Sequence, residues 1–222
     1  MSGKLFASLS DISKIANLEL SMSQLNHPFE TLKLFLNSVF NLQEGDWLLF
    51  KKELSIAKYH EKELIYTPGD TCDKLLFISS GVIRSYLIDK NGKDFTWSIH
   101  YNNPMLKVIN LFAVDYASFV NNEPTELFFE CILDAEVIVV PRDSLHKLYE
   151  RNSFWQKVGR ILSEQAYYYT HKRTLSLLTK SAKERYIQLC DQNPLLLSIL
   201  PQYHLASYLG VTPQSLSRLK MK

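Results

Sequence analysis

The sequence has few of the residues that enzyme and metal-site motifs require. It has seven glycines and three cysteines in 222 residues, and its six histidines stand alone, without an H-x-H or H-x-x-x-H pair. No P-loop, nucleophile elbow or dinucleotide-binding glycine motif is present. Metal-dependent jelly-roll enzymes of the cupin type need clustered histidine and glutamate ligands. We therefore expect no catalytic residues, no metal ligands and no cofactor.

Paired cysteines and long apolar runs are also missing. Cys72, Cys131 and Cys190 show no C-x-x-C or other paired spacing, which argues against a disulfide framework and fits a reducing compartment. No apolar run approaches the roughly 20 residues that a bilayer-spanning helix needs, and the N-terminus shows no basic-then-apolar signal segment. We expect a cytoplasmic protein without a membrane partner.

The charge is divided unevenly along the chain. Residues 1–150 carry a net charge of −6, whereas residues 151–222 carry +8, from 11 basic and three acidic side chains. A basic segment of this kind indicates a nucleic-acid partner for the C-terminal third.

Residues 201–220 have the pattern of a helix-turn-helix. Ala206 lies where the two helices of this motif approach closely, and Gly210 lies where the chain must turn with a positive φ. Thr212 suits the cap of the second helix and Pro213 suits its first position. The apolar residues that would face the other helix and the rest of the domain are Leu205, Leu209, Val211, Leu216 and Leu219. The alternative is an ordinary helical hairpin with a solvated polar face.

In such a motif the second helix enters the major groove of DNA. Gln214 can bond adenine through two hydrogen bonds and Arg218 can bond guanine, so these residues are candidates for reading sequence. The exposed face also carries Ser215 and Ser217. Thr212, Ser215 and Gln202 are candidates for phosphate contacts. We expect double-stranded DNA as a partner.

The N-terminal part of the chain is predicted in two segments. Residues 1–26 form a helical or loosely packed extension with weak helical periodicity, and residues 28–57 form a clearer helix with one buried face. The apolar residues of that face are Phe29, Leu32, Phe35, Leu36, Val39 and Phe40.

Residues 58–140 change to short apolar runs separated by turn residues, which predicts an antiparallel sandwich or barrel. Ser80-Gly81 reads as a turn between two strands, and Asn91-Gly92 as the tight turn of a hairpin over residues 83–99. Later strands cover residues 127–132 and 135–140. Residues 102–124 between them read as an irregular insertion, which is where a ligand would bind.

Residues 153–178 predict one helix roughly 40 Å long, after a short helix that ends near Arg151. Its less charged stripe has near-heptad spacing, from which we predict that two such helices pair in a homodimer. The predicted dimer residues are Val158, Ile161, Leu162, Gln165, Tyr168, Tyr169 and Leu175. The alternative is that this stripe packs only on the sandwich of its own chain. A hinge at Thr179-Lys180 and a capping box at Ser181–Glu184 follow, and Asn193-Pro194 ends the next helix.

This order of parts resembles the CRP/FNR family of bacterial transcription regulators, especially its Bacteroidetes branch, over about residues 30–222. The resemblance rests on YTPGDTCDKLLFISSGVIR at 66–84, the Asn91-Gly92-Lys93 tip, the long helix, SAKERY at 181–186 and PQYHLASYLGVTPQSLSR at 201–218. It implies a homodimer that reads two half-sites about one helical turn apart. By position, Pro213, Gln214 and Arg218 take the base-contacting places. Since proline lacks a donor, specificity should rest on Gln214 and Arg218.

The resulting expectation is an α+β protein in four parts. These are an extension (1–26), a cyclic-nucleotide-binding-like jelly-roll sensor domain (27–152), a long dimerisation helix (153–178) and a winged-helix-like helix-turn-helix DNA-binding domain (179–222). The resemblance leaves open an unknown small-molecule effector and a contact with RNA polymerase. It also leaves open a degenerate member that acts as a small-molecule- or protein-binding module, or, less favoured, a cupin-like enzyme.

The sensor half departs from relatives that bind cyclic AMP. Those relatives have a Phe-Gly-Glu turn and then an arginine followed by serine or threonine, which neutralise the cyclic phosphate. Residues 106–128 contain no Gly, no Arg and no such turn, and Thr125 and Glu126 align with the arginine pair. Because a carboxylate there would repel a phosphate, we predict that cyclic AMP does not bind with useful affinity.

Overall fold

The computed structural model describes residues 27–102 and 111–220, so the predicted N-terminal extension lies outside the described residues. Helix α1 spans Pro28–Val39, and the His27 ring caps it by accepting the Phe29 amide. Helix α2 spans Glu44–Lys51. The single helix predicted for residues 28–57 is wrong, because extended backbone at Phe40 divides it and Ser55 already begins a strand.

Six strands occur in the described residues and all their pairings are antiparallel. They are β1 (Ser55–Tyr59), β2 (Leu64–Tyr66), β3 (Lys74–Ile88), β4 (Asp94–Tyr101), β5 (Phe112–Ala113) and β6 (Phe128–Pro141). The order β1-β6-β3-β4 leaves β4 at one end of the sheet, while β2 pairs with β6 and β5 with β3. The predicted antiparallel β domain is confirmed.

Two of the predicted strand breaks are bulges within long strands. Strand β3 continues through Ser80-Gly81, where its register with β6 shifts. Gly81 has φ of 88°, and a Cβ there would overlap the Asp134 carbonyl oxygen. Strand β6 likewise runs unbroken across residues 133–134. The glycine therefore allows a close approach of two backbones rather than a chain reversal.

The hairpin predicted over residues 83–99 is confirmed, with Ile83 opposite His100 and Ile88 opposite Asp94. Its turn covers residues 89–93. The Asp89 carboxylate accepts the amides of Asn91 and Lys93 at 2.8 and 2.9 Å, and Gly92 takes φ of 76°. Asp89 thus organises the turn together with the Asn-Gly pair.

The insertion at residues 102–124 is more regular than predicted, although residues 103–110 lie outside the described residues. It contains β5 and helix α3 (Tyr116–Asn121). The Asp115 carboxylate caps α3 by accepting the Ala117 amide, and Asn122 ends the helix in the left-handed region with φ of 59°. Both are common helix caps, but the many turn-forming residues in this segment led to the prediction of irregular structure.

Helix α4 (Arg142–Arg151) and the long helix α5 (Ser153–Thr179) follow the sheet, as predicted. Their junction packs on α1 and α2 in a core that contains Trp47, Phe50 and Trp155. Gly159 allows this packing, because a Cβ there would overlap the Tyr149 hydroxyl. The glycine that should weaken α5 is therefore a contact point between α4 and α5.

Four further helices complete the described chain: α6 (Ala182–Gln192), α7 (Pro194–Ile199), α8 (Gln202–Leu209) and α9 (Pro213–Lys220). The predicted capping box joins Ser181 and Glu184. One core contains Val82, Ile99 and Tyr101 of the sheet together with Leu189, Leu205 and Leu216 of these helices. The helical region therefore packs directly on the sheet. No helix among residues 27–102 and 111–220 is long and apolar enough to cross a membrane.

Candidate nucleic-acid interface and sensor cavity

Helices α8 and α9 form the two-helix unit that the sequence predicts. Gly210 takes φ of 69°, and the Val211 amide donates to the Ala206 carbonyl at 3.0 Å. Ala206 is fully buried, as is Leu216 on the facing helix. A larger side chain at position 206 would push the helices apart.

Helix α9 presents most of its polar side chains to solvent. Thr212 caps the helix, since its Oγ1 accepts the Ser215 amide at 3.2 Å. Of the predicted DNA-binding residues, the exposed ones are Gln202, Thr212, Pro213, Gln214, Ser217 and Arg218. Ser215 is half-buried and its hydroxyl bonds Thr212. The structure therefore brings the predicted set to the surface of one small helical unit.

The charge around this unit favours a polyanion. The sequence has no Asp or Glu after Asp191, whereas Arg218 and Lys220 lie in the last turn of α9. The free amides at the start of α9 add partial positive charge beside Gln214.

The stripe predicted for the dimer is split by the packing of α5. Val158 is 4% exposed and belongs to the core of its own chain, so the structure offers no surface there for a partner. Ile161 and Leu162 pack partly against the same core, and Gln165 and Tyr169 are half-buried. Tyr168 and Leu175, farther along, are exposed. Leu178, outside the predicted set, is 77% exposed.

A cavity of about 740 Å³ lies between the sheet, α3 and α5. Ser85, Ser98, His100, Phe119, Leu127 and Leu162 are among the residues that line it. The Ser85 hydroxyl and His100 Nε2 are 3.1 Å apart. Burial lowers the pKa of His100 to about 4, partly offset by the Phe112 carbonyl, so its ring is neutral at pH 7.

The carboxylate at the cavity is not the one that the sequence suggested. Glu126 is exposed. Asp115 lines the cavity instead, and its Oδ2 accepts the Thr125 hydroxyl at 2.7 Å. Thr125 is 2% exposed, and its oxygen also accepts the Leu127 amide at 3.1 Å. The Thr125 hydroxyl is thus already hydrogen-bonded to neighbouring residues of the same segment, one of which is negatively charged.

Sequence reasoning missed a buried arginine in the sheet. Arg84 is 4% exposed, and its guanidinium donates to Asp94 at 2.8 and 3.0 Å and to Glu130 at 2.9 Å. It also stacks on the Tyr86 ring, 3.8 Å from the ring centroid. Its partners lie ten and 46 residues away, so only the fold reveals the cluster.

A second missed arginine ties α5 to both the sheet and the helix-turn-helix. Arg173 donates to the carbonyls of Trp97, Thr96 and Tyr208 at 2.7, 2.9 and 2.9 Å. Its guanidinium lies 3.9 Å from the Tyr208 ring centroid. Among the described residues, no group of three or more His, Cys, Asp or Glu side chains is arranged to hold a metal ion.

Residues 56–152 match the family model of the cyclic nucleotide-binding domain. Among solved structures, FixK2 from Bradyrhizobium japonicum is 19% identical with a TM-score of 0.62, over 76% of this chain and 83% of that one. A CooA variant from Carboxydothermus hydrogenoformans is also 19% identical with a TM-score of 0.62, over 84% and 82%.

A protein from Eubacterium rectale assigned to the CRP/FNR family of transcriptional regulators is 14% identical, with a TM-score of 0.61 over 81% and 82% of the two chains. No curated protein sequence matches this chain. Residues 56–152 therefore have the fold of a cyclic nucleotide-binding domain, and the chain has the fold of the CRP/FNR transcription regulators.

Proposed function

We propose that the protein is a homodimeric transcription regulator of the CRP/FNR type that binds DNA sequence-specifically and does not bind cyclic AMP. The observation that carries this proposal is the exposed face of α9, where Gln214, Ser217 and Arg218 face solvent beside a capped helix start. A merely structural hairpin has no need of exposed groups with base-reading chemistry on that face. The proposal places the protein in the cytoplasm and gives it no catalytic role.

The contacts divide by chemistry. Gln214 and Arg218 would read base edges in the major groove, and Pro213 would contribute only van der Waals contact. Thr212, Ser215, Ser217 and Gln202 would hold phosphates on either side, where the segment after Asp191 adds no negative charge. Because Thr212 caps α9 by accepting the Ser215 amide and also bonds the Ser215 hydroxyl, the phosphate contacts of these two residues are coupled to the helix start.

The dimer would form along the part of α5 that the chain itself leaves uncovered. Tyr168, Leu175 and Leu178 are exposed there, while Ile161, Leu162, Gln165 and Tyr169 lie half-buried beside them. Burying such side chains against a second α5 would remove apolar area from water. Two joined helix-turn-helix units would then read two half-sites related by a two-fold axis.

The sensor cavity supports an effector other than cyclic AMP. Asp115 lies at its wall and Thr125 is already bonded, so a phosphate would meet a negative charge. Arg173 and Arg185 line another part of the cavity, but both donate to backbone carbonyls. A contact with RNA polymerase follows from the family resemblance alone.

The test is selection of binding sites from a random duplex pool with the full chain, followed by titration of the winning site over a salt series. We expect an enriched palindrome and a steep loss of affinity with salt. Gln214→Ala and Arg218→Ala should each weaken binding by about 1–3 kcal/mol. Gln43→Ala, at an exposed residue far from α9 in sequence, is the matched control and should not change the affinity.

Two results would contradict the proposal. Absence of enrichment, with or without cell extract as a source of effector, would favour the alternative of a protein- or small-molecule-binding module. A monomer at micromolar concentration in sedimentation would remove the two-fold readout.

A further inference from the structure

Strand β4 is shared between the cavity and the helix-turn-helix. On one side, Ser98 and His100 line the cavity. On the other, Ile99 and Tyr101 belong to the core that also contains Leu205 and Leu209 of α8. This alternation follows from the two-residue period of a strand. One strand therefore borders both a ligand-sized space and the first helix of the DNA-binding unit, and that helix reaches the same space at its end through Tyr208 and Leu209.

The end position of β4 leaves backbone groups that no strand among the described residues pairs. They find partners in the C-terminal half of the chain: the Thr96 amide donates to Ser207 Oγ at 2.7 Å, and the carbonyls of Thr96 and Trp97 accept from Arg173. Trp97 is an extra residue in the ladder, since Ser98 pairs with Ser85 and Thr96 with Tyr86. The helix-turn-helix and α5 thus close the open sheet edge at a bulge.

Ser207 connects this edge to the buried arginine. Its hydroxyl donates to Asp94 Oδ1, and its oxygen lies 2.9 Å from Thr96 Oγ1. Arg84 donates to Asp94 and, at 3.4 Å, to Thr96 Oγ1, so the Thr96 hydroxyl is left to donate to Ser207. We call Arg84, Asp94, Thr96, Arg173 and Ser207 the latch. Through Arg84 and Glu130 the latch reaches β6.

We propose that β4 transmits the state of the cavity to the helix-turn-helix by tightening or loosening the latch. A ligand that displaces Ser98 or His100 must move the adjacent backbone of Thr96 and Trp97. The latch bonds of that backbone are short and directional, so a displacement near 1 Å breaks them. The bulge at Trp97 is the compliant point, because the β3–β4 ladder is already interrupted there.

Amide hydrogen exchange on the full chain tests the latch without DNA or an effector. Ser207→Ala removes the three contacts of one hydroxyl, and we expect exchange in α8 to accelerate roughly tenfold. The control is Ser198→Ala, the same change in the same helical region, where the hydroxyl bonds only Leu195 of its own helix. Exchange in α8 that is equal in the two variants would overturn the latch.

A second pair of variants tests transmission from the cavity. Ser98→Phe adds bulk to the cavity from β4, whereas Ala117→Phe adds it from α3. We expect only Ser98→Phe to accelerate exchange in α8, and we expect little further effect when Ser207→Ala is added to it, since both changes act on one set of bonds. Ser98→Val provides a milder change should the phenylalanine prevent folding.

Acceleration in α8 by both phenylalanine variants or by neither would overturn the role of β4. Transmission from the cavity has a biological role only if the helix-turn-helix binds DNA, so that role rests on the proposed function. The measurement, hydrogen exchange in α8, does not depend on DNA binding. A latch that responds in a protein without an operator would leave this inference standing and refute the proposed function. If the protein binds an operator but exchange in α8 is unchanged by Ser98→Phe, the proposed function would stand and this inference would be refuted.

Discussion

The helix-turn-helix and the sensor half are built in opposite ways. The fold of residues 201–220 is specified by residues close together in sequence. These are the buried Ala206, Gly210 in the left-handed region and the capping Thr212, all within a dozen positions. The sensor half depends on distant pairs, such as Arg84 with Glu130 and Thr96 with Ser207. A short local motif can keep its structure and function in many different proteins. A cavity assembled from distant strands can change its ligand through single substitutions.

The two regions also differ in the charge they present. The segment after Asp191 contains no acidic residue, which suits the proposed binding of DNA phosphates. The cavity has Asp115 at its wall, where a cyclic phosphate would need a cation. The proposed contrast between an end that binds a polyanion and a cavity that disfavours a cyclic phosphate can be tested from its largest expected effect to its smallest.

The largest effect is expected at Arg84. Arg84→Ala leaves the carboxylates of Asp94 and Glu130 without their buried cation, which should lower the free energy of unfolding by about 3 kcal/mol or more. Chemical denaturation gives the value. Arg160→Ala removes an exposed pair with Glu164 on α5 and should cost less than about 0.5 kcal/mol. Equal losses would mean that the buried cluster contributes no more than a surface pair.

The next effect is a loss of stability in acid. Burial lowers the pKa of His204 to about 4, and nearby Arg84 lowers it further while Asp94 opposes the shift. His100 has a similarly low pKa of about 4, caused by burial. The unfolded chain therefore binds protons first, and stability is complete above about pH 6.5 and falls as the pH drops toward 4.

Each of these histidines should contribute on the order of 2–3 kcal/mol to that fall. His204→Gln should remove about half of the pH dependence, measured by urea unfolding at pH 7 and pH 4.5. His60→Gln, at an exposed histidine, is the control and should leave the slope unchanged. A slope that survives in both His100→Gln and His204→Gln would assign the acid sensitivity to other groups.

Sequence alone was sufficient where structure is local. The capping box at Ser181, the hairpin over residues 83–99 and the two helices around Gly210 each depend on residues a few positions apart, and each is confirmed, although the hairpin closes through the longer loop 89–93 instead of a tight Asn-Gly turn. Prediction from sequence failed where the same residue fits two different local structures. Gly81 reads as a turn but serves a bulge, because the approach of Asp134 that requires glycine comes from 53 positions away.

The candidate functional residues show the same division between local features, which were predictable, and distant contacts, which were not. The exposure of Gln214 and Arg218 follows from helical periodicity, so it was predictable. Val158 has the right spacing for a dimer contact, but spacing cannot distinguish a partner helix from the core of the same chain, and the core covers it. Asp115 and Glu126 are both carboxylates near the cavity segment, and only the fold decides which one lines the cavity.

That choice between two carboxylates gives the third prediction. The unmodified protein should bind cyclic AMP with a dissociation constant above about 10 μM in titration calorimetry. Asp115→Asn keeps a cap for α3 and removes the charge, so it should strengthen whatever weak binding exists by several-fold, about 1 kcal/mol. Glu126→Gln removes an exposed charge and should change nothing. Tight binding by the unmodified protein would show that the cavity tolerates a phosphate.

The smallest effect separates folding from DNA binding at one residue of the helix-turn-helix. Thr212→Ala removes the cap of α9 and should lower the free energy of unfolding by about 1 kcal/mol. Thr212→Asp keeps a capping oxygen and suits the helix dipole, so stability should stay within about 0.5 kcal/mol of the original. The new carboxylate would face DNA phosphates, so operator affinity should fall although the fold does not. If Thr212→Asp instead binds DNA normally, the start of α9 does not approach the backbone of the duplex, and the docking geometry proposed for this helix is wrong.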